Sequence, residues 1–174
     1  MRSAELRQGR TFVLRLEDGE VLHEAVESFC RDNGIVRATV SITGAVDKGS
    51  MMVSGPSVPI EGKIQPRIIT LEEKCEITGR GTVFPDADGN PLVHIHGSVG
   101  REGFSATGDL RPRMVAWLVV EIVITELVGE GPVRLESDPR IDGKLLEIRR
   151  WHPRRSSGRR STTRTASRSR STGT

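Results

Sequence analysis

The chain has 174 residues, 35% of them apolar, a length that suits one domain with an extension. Its formal charge of +3 is unevenly divided: residues 149–174 hold nine of the 26 basic residues and no acid, which leaves 17 against 23 acids, a net of −6, in residues 1–148. Two cysteines, neither with a CxxC partner, do not make a disulfide framework. The opening MRSAELRQGR has no apolar core and argues against a signal peptide. The longest apolar run, Met114 to Ile124, is interrupted by Glu121 and is too short for a bilayer, so no membrane role is expected. The expected setting is cytoplasmic, with Cys30 and Cys75 as small buried apolar residues.

In chain order, residues 1–8 read as a polar leader and Thr11 to Leu16 as a first strand. From Val21, the apolar positions Val21, Leu22, Ala25, Val26, Phe29 and Cys30 recur at helical spacing, and Gly34 is placed to end the helix. His23 falls off that stripe and reads as a solvated helix residue. Ile35 to Val46 alternates as a strand, with Gly44 marking a bulge or a close backbone approach. Met51 to Val53 forms a short strand, and residues 54–66, rich in Gly and Pro, read as a long loop. Ile68 to Val83 supplies two strands or one bent one. Pro85 to Pro91 is a turn: it lacks the spacing and terminal Glu of a calcium loop. Met114 to Ile124 predicts a strand buried on both faces, and Leu127 to Glu147 further short strands or loops. The order strand, helix, many strands predicts an α+β domain over residues 9–148, mostly antiparallel β-sheet with one or two helices.

The stretch PLVHIHGSVGREGFSATGDL, residues 91–110, is the centre of the chemistry. It reads as a complete β-hairpin around Gly100-Arg101-Glu102-Gly103. Residues two apart on a strand share a face, so His94 and His96 stand side by side. Pairing Gly100 with Gly103 places Val99 opposite Phe104, His96 opposite Thr107 and His94 opposite Asp109. Two imidazoles and a carboxylate then converge, a donor set suited to zinc or another divalent transition metal with an open coordination position. A change of one residue in the loop would send Asp109 to the other face. Glu121, a carboxylate inside an apolar run, needs a partner if buried, and is either paired with an arginine, turned to solvent, or a further pocket member.

The run Pro91 to Gly97, the turn, and Thr107-Gly108-Asp109-Leu110 together resemble the signature of the PPC (plant and prokaryote conserved) domain family, close to H-x-H, a turn, then G-G-H-L. Gly9-Arg10, Ile42 to Ala45, Glu76 to Thr78 and Glu121 to Ile124 fit as well, so the resemblance spans Gly9 to Val128. It implies the same α+β fold, a homotrimer with the hairpin near subunit boundaries, and ligand roles for His94 and His96, because some prokaryotic members carry three histidines at a metal site. Asp109 stands where the third histidine would be. The competing reading is that these groups line an interface or polar pocket and hydrogen-bond one another.

Residues 149–174 contain Arg149, Arg150, Arg154, Arg155, Arg159, Arg160, Arg164, Arg168 and Arg170 among Ser, Thr and Gly. Such a tail cannot bury enough apolar area to offset its ordering entropy, and is expected to be disordered. Its guanidinium groups suit DNA or another polyanion, with a steep salt dependence. The R-G-R-P core of the minor-groove hooks carried by plant PPC proteins is missing. A solubilising extension without a selected role is the bland alternative. No Ser-His-Asp order, P-loop or GxGxxG is present, and Gly79-Arg80-Gly81 is too short for a phosphate loop, so the sequence argues against an enzyme more than for one. The leading expectation is an oligomeric DNA-associated regulatory protein, nucleoid-associated if it binds DNA. The alternative is a metal- or small-ligand-binding protein, with hydrolytic or lyase chemistry at His94, His96 and Asp109.

Overall fold

The computed structural model describes residues 1–56, 63–110, 113–140 and 144–148. The elements are β1 (Arg7–Glu17), α1 (Leu22–Asp32), β2 (Ala38–Val46), β3 (Met51–Pro56), β4 (Pro66–Thr70), β5 (Cys75–Pro85), β6 (Pro91–Arg101), β7 (Phe104–Leu110), β8 (Ala116–Val128), β9 (Pro132–Ser137) and β10 (Lys144–Ile148). Eight strands form one sheet in the order β1-β8-β2-β5-β6-β7-β3-β4, and β9 and β10 form a separate ribbon. The paired strands run antiparallel. This is the α+β, mostly antiparallel architecture that the order of elements predicts. The nine-arginine tail and its expected disorder lie outside the described residues.

The core follows from alternation. Val40 and Ile42 on β2, Ile77 and Val83 on β5, Val93, Ile95 and Val99 on β6, and Ile122 and Ile124 on β8 are all buried. Alternate positions on one strand share a face, so these side chains form one apolar layer. Leu22, Val26 and Cys30 of α1 join the same cluster. Burial pushes the Cys30 thiol up to about 11, which makes it a packing residue and not a nucleophile.

Helix α1 starts without a side-chain cap at Val21. Backbone bonds do that work: Leu22 N–H donates to the Met114 carbonyl and Ala116 N–H to the Glu20 carbonyl, each at 2.9 Å. The helix ends in a Schellman arrangement, with Ile35 N–H on the Cys30 carbonyl (2.8 Å), Gly34 N–H on the Arg31 carbonyl (3.2 Å), and Gly34 at φ +65°.

Several boundaries differ from expectation. β1 begins at Arg7, inside the segment read as a leader, and β3 runs to Pro56 with β4 starting at Pro66, so both strands enter the predicted loop. β8 is not buried on both faces: Leu118 and Val123 are exposed, 60% and 40%. Its outer face has no covering layer among the described residues, so period-two burial replaces the continuous burial that its composition suggests. Gly44 is a close approach and faces a bulge whose extra residues lie on β8, where Leu118 has a positive φ. Its register against β8 slips by Val46, and a Cβ there would stand 2.5 Å from the Val119 carbonyl oxygen.

Candidate metal centre and its cleft

The β6–β7 hairpin turns at Glu102 and Gly103, both with positive φ (48° and 84°), and Arg101 pairs with Phe104. That is the two-residue turn whose twist matches the strands. The expected pairing of Gly100 with Gly103 is therefore corrected: Gly100 faces Ser105, Ser98 faces Thr107, and Asp109 faces His96 instead of His94. The shift moves each partner by two residues, an even step, so Asp109 keeps its face. Its effect is to set Asp109 across from one histidine and diagonal to the other.

The three side chains do converge. Donor atoms of His94, His96 and Asp109 all lie within 4.8 Å of one another. The imidazole centroids are 5.0 Å apart, and His94 Nδ1 is 3.7 Å from Asp109 Oδ1, beyond hydrogen-bond range. Donors bound to one ion at the usual 2.0–2.2 Å are at most about 4.4 Å apart. The cluster thus needs only a small side-chain rotation to share a cation, and exposed His96 has room to turn. Two imidazoles and a carboxylate form a chemically competent donor set for zinc or a similar ion.

Three features hold this face in place. Next along the hairpin, Ser98 Oγ and Thr107 Oγ1 are hydrogen-bonded at 2.7 Å. Beneath the site a row of glycines crosses the sheet: Gly79 pairs with Gly97, and Gly97 with Gly108. A Cβ on Gly108 would run into the Val53 carbonyl oxygen, and one on Gly97 would lie 2.6 Å from the Thr78 carbonyl oxygen. Glycine is needed there so that the backbones on either side can approach. Finally, among the described residues β7 pairs with β6 as far as His96, and beyond it the Val93 N–H donates to Glu27 Oε1 of α1 at 3.0 Å.

The cluster opens into a cleft of ≈ 1670 Å³, walled by the start of α1, by β3 and β4, and by the β9–β10 ribbon. The ribbon is tied on by Arg37, whose Nε and Nη1 donate to the Pro132 and Gly129 carbonyls (3.0 and 2.9 Å). Ile64 N–H donates to the Arg140 carbonyl at 2.6 Å and joins the opposite wall. Two cleft residues escaped sequence reasoning. His23 is 7% exposed and lines the cleft, contrary to its reading as a solvated residue, because the first turn of α1 faces both the core and the cleft. Arg134 of β9 is 8% exposed, with Nη2 on Thr82 Oγ1 at 3.0 Å and its guanidinium 5.9 Å above the Phe84 ring. Burial pushes its pKa down while the charge of Asp109 opposes that shift. Its only sequence signal is the alternation Val133-Arg134-Leu135, which cannot say what the strand packs on.

Glu121 belongs elsewhere. It is exposed on β8, across from Arg15 of β1, and is not among the residues lining the cleft. Asp86 is likewise a turn residue: its Oδ1 accepts from the Asp88 and Asn90 N–H groups at 2.9 Å, bonds that hold its carboxyl below the usual range. No helix among the described residues is long and apolar enough to cross a membrane.

Comparison with known proteins finds the same fold elsewhere. A metal-containing protein from Archaeoglobus fulgidus superposes with a TM-score of 0.72 at 27% identity, covering 86% of this chain and 100% of the other. A plant- and prokaryote-conserved (PPC) protein from Pyrococcus horikoshii gives 0.72 at 28% identity, covering 87% and 100%. A protein from Ralstonia eutropha described as a candidate DNA-binding protein shares the fold at 20% identity, with a TM-score of 0.63 over 79% of this chain and 90% of the other. No curated protein matches the chain significantly. The sequence pattern of the Plants and Prokaryotes Conserved (PCC) domain matches residues 3–128, and the chain belongs to that family.

Proposed function

We propose that this protein is a divalent-metal-binding member of its family, in which His94, His96 and Asp109 hold the ion and the cleft admits a small ligand to it. The observation that carries this reading is the convergence of three donor atoms within 4.8 Å at the mouth of an open cleft. The Archaeoglobus fulgidus relative, described as metal-containing, supports it. Three protein donors leave a coordination position for an outside ligand, the arrangement of reactive rather than structural zinc sites. Elemental analysis of the purified full chain tests this. One zinc or similar ion per chain is expected, lost in His94→Ala and His96→Ala and held more tightly in Asp109→His. Metal-free protein that refuses added zinc sinks the reading.

A second reading concerns the arginine-rich terminus and is compatible with the first. Nine arginines without an acid, on a body of net −6, suit a protein that reaches DNA through its tail while the domain serves as an assembly module, a homotrimer in this reading. The exposed cross-strand pair Val13 and Val123 gives such an assembly an apolar surface. Fluorescence anisotropy across a salt series, comparing residues 1–148 with the full chain, should find salt-steep DNA binding only when the tail is present. Equal binding by both would remove the tail from the account.

A further inference from the structure

We propose that Arg134 and the His94–His96–Asp109 cluster form a two-point site for a small organic carboxylate. Arg134 takes the carboxylate, and a second donor atom of the ligand reaches the ion. The second point rests on the metal reading above; the first stands on Arg134 itself.

Arg134 lies outside the family-matched segment, on the added ribbon, yet it is delivered to the metal cluster. Thr82, which accepts from its Nη2, is directly across from His94 in the β5–β6 register, and Phe84 beneath it is across from Leu92. The side chain is 8% exposed, and among the described residues its buried Nε has no hydrogen-bond partner. A buried guanidinium is costly unless its donors and its charge are both met. Asp109 supplies part of the charge compensation. Once that carboxylate is shared with a divalent ion, the ion, two neutral imidazoles, Asp109 and Arg134 carry about +2 together, a local excess that favours an anion. The planar fork of arginine fits a carboxylate with two parallel hydrogen bonds. Val53, Ile68 and Leu92 on the adjoining walls favour a ligand with an apolar body over inorganic phosphate.

Full-length protein loaded with cobalt(II) reports ligand arrival through its visible absorption, and calorimetry gives the affinity. With phenylacetate as the probe, saturable binding with a spectral change is expected. Arg134→Leu should weaken it about tenfold or more while the cobalt content stays at the wild-type level. Arg134→Lys keeps the charge without the fork and should also weaken it, and a thermal melt shows that both variants are folded. Wild-type affinity in Arg134→Leu overturns the proposal, as does tighter binding of phosphate than of phenylacetate or no phenylacetate binding at all. If the protein refuses cobalt, the metal reading fails separately. Calorimetry on the metal-free protein then reads the arginine alone, and equal affinities of wild type and Arg134→Leu would overturn that point too.

Discussion

β6 and β8 look alike in sequence, each an apolar strand broken by ionisable residues, and they end in opposite situations. On β8 the outer face carries Leu118, Glu121 and Val123 in the open. On β6 the outer face carries His94 and His96, met by Asp109 from β7 and overlooked by Arg134 from β9. The inner faces differ as well. β8 lays down branched side chains, whereas β6 and its neighbours interpose Gly79, Gly97 and Gly108. An ionisable residue in a strand becomes part of a site when neighbouring strands bring complementary groups to its face and another layer makes a wall. Glu121 has Arg15 and Thr43 as cross-strand neighbours, and no described layer covers it.

The largest contrast should appear in the glycines. Gly108→Ala forces a methyl against the Val53 carbonyl, an overpacking cost of about 1–3 kcal/mol, read as a lower urea midpoint. An unchanged midpoint would break the claim that glycine is needed at position 108. Next, Thr82→Val removes the acceptor of the buried Arg134 Nη2 without changing shape, and about 1–3 kcal/mol of stability should go with it. On the β8 side Glu121→Gln should stay within about 0.5 kcal/mol and leave the metal content untouched. Loss of metal in that variant would join two regions that the fold separates.

The smallest effect concerns acid. On the β1–β8 side, Arg10 grips Glu126 through Nε–Oε2 at 2.8 Å and Nη2–Oε1 at 2.9 Å, and this holds the Glu126 carboxyl below its ordinary value of 4.5. A depressed carboxylate contributes stability above its unfolded pKa, and that contribution fades as pH falls through the lower folded value. Glu126→Gln should therefore lower the melting temperature slightly at neutral pH and lose its difference from wild type in the acid range. A difference that grows on acidification would reverse the sign and refute the assignment.

The faces within β6 were legible because period-two alternation is local: His94 and His96 could be put on one side from spacing alone, whereas Asp109 needed the hairpin register as well. The pairing was less legible. Flanking glycines at positions 100 and 103 favoured a turn over Arg101 and Glu102, whereas the chain turns over Glu102 and Gly103 and accepts a left-handed glutamate. The site survived because the error was even. His23 and Arg134 were not legible, since each owes its burial to docking between elements far apart in the chain. Glu121 was over-read for the same reason: composition marked it as unusual, and only the sheet order shows its face to be open.

The bond from Glu27 to Val93 has a consequence beyond positioning. Among the described residues β7 pairs with β6 only as far as His96, and at Val93 a helix side chain takes a backbone donor of the kind that a neighbouring strand uses. The helix carboxylate occupies the Val93 donor, and its negative charge is unfavourable to an incoming row of carbonyl oxygens. One acidic side chain of α1 thus stands where a strand carbonyl could otherwise sit, and it ties the helix to the strand that carries both histidines.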